Sequence, residues 1–226
     1  MLLLALDTST TAITAALHDG ARVLAESTTL DARAHAEQLA PGVERVLTEA
    51  GVRAPDLTDV VCGLGPGPFT GLRAGVVTAR VLALATGARL HGICSLDALA
   101  HQAWTIAAVG GPELLVATDA RRKEVYWARY AVSSAGTERR SEPAVTRPAD
   151  LPADVRALVT VGRGPLLYPD LLPVTPPAGP LDVSAASLAD LTVRRLAAGE
   201  ALDETAVVYL RRPDAATSFF VKSVLG

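Results

Sequence analysis

Near the start of the chain, in "LLLALDTST", an aspartate closes an apolar run and two hydroxyl residues follow it. Asp7, Thr8 and Ser9 are residue types that can hold a hydrated metal ion and hydrogen-bond a phosphate. The same three also end a strand and make a turn, which is the plainer reading. Asp119 repeats the pattern in "ELLVATDARRKEVYWARY" and is equally open. The histidines, His18, His35, His91 and His101, contain no i,i+4 pair, so none reads as a metal ligand. Cys62 and Cys94 lie in apolar, strand-like runs and read as buried free thiols of a reducing compartment. No Ser-His-Asp or Cys-His arrangement can be read from the spacing. Arg121, Arg122 and Lys123 form one basic turn, and Arg211 with Arg212 another. They can touch nucleic-acid phosphates, although solvated charge is the commoner fate of such runs.

The most unusual stretch is "GLGPGPFTGLRAG", Gly63 to Gly75. A strand, a glycine loop and a helix N-terminus can together bind an anion. Here the G-x-x-x-x-G-K-[ST] spacing is missing, and Pro66 and Pro68 remove two backbone donors. "VGRGP" at 161–165 is a thin second candidate for a nucleotide loop. A tight connection with positive φ is the simpler use of the glycines. In the helix pattern that follows, Gly71, Gly75, Ala79 and Ala83 recur every four residues. That stripe of small side chains lets another backbone come close. Leu72, Val76, Val77, Val81, Leu82 and Leu84 cover much of the remaining circumference, so the helix must be buried on more than one side. Plain core burial is one reading of that surplus; the other is a partner-binding surface, with Leu39, Val43, Val46 and Leu47 on an amphipathic helix at 36–50. Gly71, Leu72, Gly75, Val76, Ala79, Leu82 and Ala83 complete it on the helix at 70–85. Gly75→Leu or Ala79→Glu is expected to break pairing and leave the monomer folded.

These residues need elements to hold them. Residues 2–30 read as three strands, with Asp19-Gly20 as a hairpin turn. Residues 31–51 have helical period, with a kink or restart expected at Pro41 and a C-cap at Gly51. A buried strand at 57–64, the 70–85 helix ended by Gly87, and the strand "LHGIC" follow. Ser95 reads as the N-cap of the next helix. After Gly110-Gly111 the order of strand, aspartate, turn and strand returns, which points to an internal duplication. Prolines make 165–180 a loop. Ser184 and Gly199 bracket a helix, and "AVVYLRR" reads as a late strand. The expected lobes are 1–108 and 109–226. Half of the 226 residues (50%) are hydrophobic, enough for a real core. The net charge of −3 creates no strong field for nucleic acid. The start lacks a basic region and Asp7 breaks its apolar run, so neither a signal peptide nor a membrane span is expected.

Five stretches in order carry a resemblance: "LALDTST", "GLGPGPFTGLRAGVVTARVLALATG", "SLDALA", "DARRKEVYWARY" and "YLRRPDA". Together they resemble the bacterial TsaB (YeaZ) family of tRNA threonylcarbamoyladenosine biosynthesis proteins, across roughly Leu2 to Ala215. Pro68 departs from the serine expected there. The resemblance implies an α/β, actin-like (ASKHA, RNase H-like) fold of two duplicated lobes, each a mixed sheet flanked by helices. It implies a cytoplasmic, non-catalytic subunit for threonylcarbamoyl transfer to the adenosine beside the tRNA anticodon. It also implies pairing with the transferase TsaD through helices 36–50 and 70–85, action together with the ATPase TsaE, contact with tRNA through the complex, and a homodimer when alone. TsaD holds a metal with an H-x-x-x-H pair; Ser95 and Leu99 stand at the matching positions here, and leucine cannot ligate. No cofactor is required of this chain by the resemblance, and ATP or ADP with magnesium at the complex is left open. The alternatives are a nucleotide-binding actin-like enzyme using Asp7, Thr8 and Ser9, and a homodimeric scaffold.

Overall fold

The computed structural model describes residues 1–31, 35–107, 111–173, 179–203 and 205–211. Gly110, Pro176, Pro177, Arg212, the tail 217–226 and the His35 side chain lie outside the described residues.

The first lobe contains β1 (Leu3–Asp7), β2 (Ala12–His18), β3 (Val23–Leu30), α1 (His35–Ala50), β4 (Asp59–Gly63), α2 (Phe69–Thr86), β5 (Arg89–Ile93) and α3 (Ser95–Thr105). Its sheet runs β3-β2-β1-β4-β5, with β1, β4 and β5 parallel and the first hairpins antiparallel. The second lobe contains β6 (Glu113–Asp119), β7 (Val125–Ser133), β8 (Gly136–Arg139), β9 (Ala144–Thr146), α4 (Ala153–Arg156), β10 (Thr160–Val161) and α5 (Gly164–Leu167). Its sheet runs β10-β6-β7-β8, with β9 also on β7, and β6 and β10 parallel. The order 8-7-6-10 repeats 3-2-1-4, so the duplication is visible in the topology. α6 (Ala185–Ala197) follows.

Period-two alternation builds the layers. Leu4 and Leu6 of β1 face α1 and α2, while Leu3 and Ala5 face α3 and α6. On β6, Leu114 and Val116 join that same central layer, and Leu115 and Ala117 face Leu151, Val155 and Leu172. The central strands β1, β2, β4 and β6 are buried on both faces, which is why they read as near-continuous apolar runs, whereas the edge strands β3 and β8 are largely exposed or half-buried.

Several expectations change. α1 runs unbroken through Pro41, because Pro41 and Glu37 both lie on its exposed side, where water serves the freed carbonyl. Gly51, at φ 66°, closes it with the Val52 amide on the Leu47 carbonyl at 2.9 Å. The stretch 165–180 begins with a helical turn, α5. Among the described residues of "AVVYLRR" there is no strand: residues 205–211 form an irregular strap, with Val207 and Val208 on the first lobe's core and the Val208 amide on the Leu64 carbonyl at 2.9 Å. α6 also packs on the first sheet, against β1, β2 and β3. After the second sheet the chain thus returns to the first.

Candidate functional site

Parallel strands β1, β4 and β5 end side by side, with Leu6 opposite Cys62 and Gly63 opposite Ile93. Ligands of α/β sheets commonly bind beyond such carboxyl ends. Here the space is filled from within. Asp7 Oδ1 accepts from the Ser9 amide at 2.8 Å and the Ser9 hydroxyl at 2.7 Å. Its Oδ2 accepts from the Ser95 hydroxyl at 2.6 Å. The Ser95 oxygen in turn accepts from the Gly65 amide at 3.0 Å. Thr8 donates its hydroxyl to the Gly71 carbonyl at 2.7 Å. Asp7, Thr8 and Ser9 are buried, and burial raises the Asp7 pKa above the usual carboxylate range, against hydrogen bonds from Ser95 and Ser9 that lower it. Every hydroxyl that was to meet a phosphate is committed inside, so the residues present do not fit a nucleotide or its metal at this point.

The glycine stretch exists for the same three residues. A side chain at Gly63 would overlap the Asp7 carboxylate and approach Ser95 Oγ to 2.6 Å. One at Gly67 would meet the Ser9 carbonyl oxygen at 2.5 Å, and one at Gly75 would overlap the Thr8 hydroxyl. The stripe Gly71, Gly75, Ala79 and Ala83 thus lies against the chain's own first sheet and is buried. Leu39, Val43, Val46, Leu72 and Val76 are buried too, and Leu47 and Leu82 are partly buried against the same core. As a water-facing docking surface that set is corrected: its neighbours are internal. Gly75→Leu and Ala79→Glu would accordingly strike the fold first. Ser95 is also corrected. It is the first residue of α3, behind Cys94, and its hydroxyl serves Asp7 rather than capping the helix.

What remains outside is the opposite face of α2. Val77, Val81 and Leu84 are 55%, 58% and 87% exposed, at i, i+4 and i+7. Arg73 and Arg80 flank them and are exposed, while the neighbouring outer face of α1 carries Glu44, Arg45, Thr48 and Glu49. By length and composition α2 is apolar enough to cross a membrane, but a third of it (33%) is buried against its own lobe.

Between the lobes lies a narrow cleft of about 20 Å³. Arg163 crosses it to Asp182 with two bonds, at 2.8 and 2.6 Å, and Asp182 also accepts from the Thr11 amide at 3.2 Å. Asp119 pairs with Arg121 at 3.1 Å. Gly162 and Gly164 of "VGRGP" bring the loop after β10 onto Ala117, as Gly63 and Gly67 do around Asp7. The basic residue Arg211 pairs with Glu124. Cys62 and Cys94 are buried free thiols, both pushed up to about 12 by burial, so neither is poised as a thiolate. His91 bonds Asp59 at 2.8 Å and His101 bonds Asp190 at 2.7 Å. Among the described residues no three His, Cys, Asp or Glu side chains gather as metal ligands.

Residues 22–165 match the family model described as "TsaD: tRNA N6-adenosine threonylcarbamoyltransferase". The Mycobacterium tuberculosis protein Rv3421c is 43% identical over 94% of this chain and 92% of its own length. TsaB of Escherichia coli, a "tRNA threonylcarbamoyladenosine biosynthesis protein", is 36% identical over 76% of this chain and 75% of its own. The chain belongs to the TsaB (YeaZ) family. The solved structure of YeaZ from Pseudomonas aeruginosa superposes with a TM-score of 0.78 at 31% identity, covering 92% of this chain and 99% of that one. Membership makes the chain a paralogue of TsaD, with the two-lobed actin-like α/β fold. It also accounts for α3: where the resemblance places the metal histidines of TsaD, this TsaB-family chain has Ser95 bonded to Asp7 and Leu99 fully buried.

Three features of this arrangement escaped the sequence: the Ser95–Asp7 bond, the Arg163–Asp182 bridge and the Phe69–Tyr209 ring pair. Ser95 comes after β5, which β4 separates from β1, and Gly63 at the end of β4 leaves room for its hydroxyl to reach Asp7.

Proposed function

We propose that this chain is a non-catalytic cytoplasmic subunit in the formation of threonylcarbamoyladenosine on tRNA, and that it works by docking TsaD. The observation that carries the reading is the Val77, Val81 and Leu84 ridge. A helix whose other face is core leaves three apolar side chains in water at helical spacing, a pattern that marks a protein interface. A paralogue with the same fold offers the same pair of helices, so the contact is a pseudo-twofold four-helix packing. In a pairing of two copies of this chain, Arg73 and Arg80 of one then face Glu44 and Glu49 of the other. Without TsaD the same ridge pairs two copies of this chain, an isologous contact. TsaE and tRNA are reached through the complex. The filled space around Asp7 speaks against the nucleotide-binding enzyme.

The test is gel filtration of full-length Val81→Glu/Leu84→Glu mixed with TsaD. The expected outcome is loss of co-elution with a melting temperature within about 2 °C of the parent, since surface changes cost little stability. Intact co-elution would sink the reading.

A further inference from the structure

Beside the head of α2, between the lobes, an open concavity of about 320 Å³ has walls of two kinds. Phe69, Tyr126 and Tyr209 are aromatic; Arg121, Arg122 and Arg211 are cationic. Tyr209 is held in place yet open. Its ring centroid lies 5.4 Å from that of Phe69, its hydroxyl accepts from Arg73 Nε at 3.3 Å, and 45% of it is exposed. Arg73 in turn lies 3.8 Å over the Phe69 ring, which steadies the platform from behind.

The facing turn is strained. Arg121, Arg122 and Lys123 have φ of 61°, 51° and 63°. Successive side-chain-bearing residues in the left-handed region are costly, and such strain gathers where a ligand is clamped. The turn is over-determined by Asp119 Oδ1 on the Arg121 amide at 2.7 Å and the Glu124 amide on the Arg121 carbonyl at 2.9 Å. The result is three consecutive exposed cations, the first two lining the concavity.

An aromatic platform opposite clustered guanidinium groups is the chemistry that receives an unpaired base and its phosphate. We propose that this concavity seats an unpaired nucleotide of an RNA strand, its base on Tyr209 and its phosphate on Arg121 and Arg122. The choice of RNA rests on the tRNA reading above. A free nucleoside triphosphate fits less well. It brings a divalent ion, and among the described residues no three carboxylate, imidazole or thiol side chains gather to hold one.

The experiment is fluorescence anisotropy of a labelled single-stranded RNA heptamer with the full chain over a range of salt. Wild type binds, and binding weakens as salt rises. Tyr209→Ala binds about tenfold more weakly, while Tyr209→Phe stays close to wild type. Arg122→Gln lowers the salt slope by about one. Three results would overturn the proposal: no RNA binding by wild type, equal binding by Tyr209→Ala, or displacement of the RNA by AMP or ATP at matching concentration. Co-elution with TsaD is measured on the same samples. Tyr209→Ala retains it, so failure of RNA binding and failure of docking are read separately.

Discussion

β1 and β6 end alike. In the first lobe Asp7 Oδ1 accepts from the amide two residues on at 2.8 Å; in the second, Asp119 Oδ1 does the same at 2.7 Å. Beyond that turn the lobes part. Over Asp7 come the glycine loop and an 18-residue helix, and the carboxylate is buried. The matching loop after β10 leads into a helix of four residues, and the Asp119 side chain keeps 21% of its surface at the cleft. The duplicated backbone thus keeps its local hydrogen-bond chemistry, and the length of the covering element decides whether the carboxylate becomes core or surface.

Four experiments break or sharpen that contrast. Gly63→Ala, which drives a methyl into the Asp7 carboxylate, should cost about 3 kcal/mol in urea denaturation. Adding Asp7→Ala should recover part of it, because the two sites are coupled. Equal loss with and without Asp7 would show that the glycine serves something else. Arg163→Ala, which unties the bridge between the lobes and strands Asp182, should cost about 2 kcal/mol in the same assay. Asp7→Asn tests the buried charge. Because burial raises the Asp7 pKa, the folded state takes up a proton more readily than the unfolded chain, whose carboxylate titrates near 3.8. Wild type should therefore gain stability relative to Asp7→Asn as pH falls from 7 through the raised pKa toward that value; thermal melts that run parallel across pH would refute it. Asp119→Asn, at a surface ion pair, should change stability by about 0.5 kcal/mol, the smallest effect of the series.

Much of this was legible beforehand. Period and turn chemistry placed β1 to β3, β4, α2 and α6 close to their observed bounds, and the repeat of strand, aspartate and turn anticipated the second sheet. The site was read less well, because its contacts join distant parts of the chain. The small-residue stripe was recognised as a close-packing surface, but Thr8 and β1, which it packs against, lie more than 60 residues away. Sequence spacing cannot say whether such a neighbour is internal or foreign. The unusual apolarity of α2 was the better signal. Its surplus, Val77, Val81 and Leu84, is what the core leaves over. Ser95 looked like a cap because serine before a helix usually is one; only the strand order brings it to Asp7. "AVVYLRR" has strand composition, yet its described residues bind the first lobe by side-chain packing and the Val208–Leu64 backbone bond instead of a ladder.

The return of the chain after the second lobe has a practical bearing on how this protein can be taken apart. The second sheet's strands are consecutive in the chain, but the first sheet is covered from both sides of them, so one cut does not separate the two. A fragment stopping near residue 106 would lack α6 and the 205–211 strap, and would bare the apolar side of β1 and β2 to water. Any shortened version with a chance of standing alone must instead splice out the middle and rejoin the flanks.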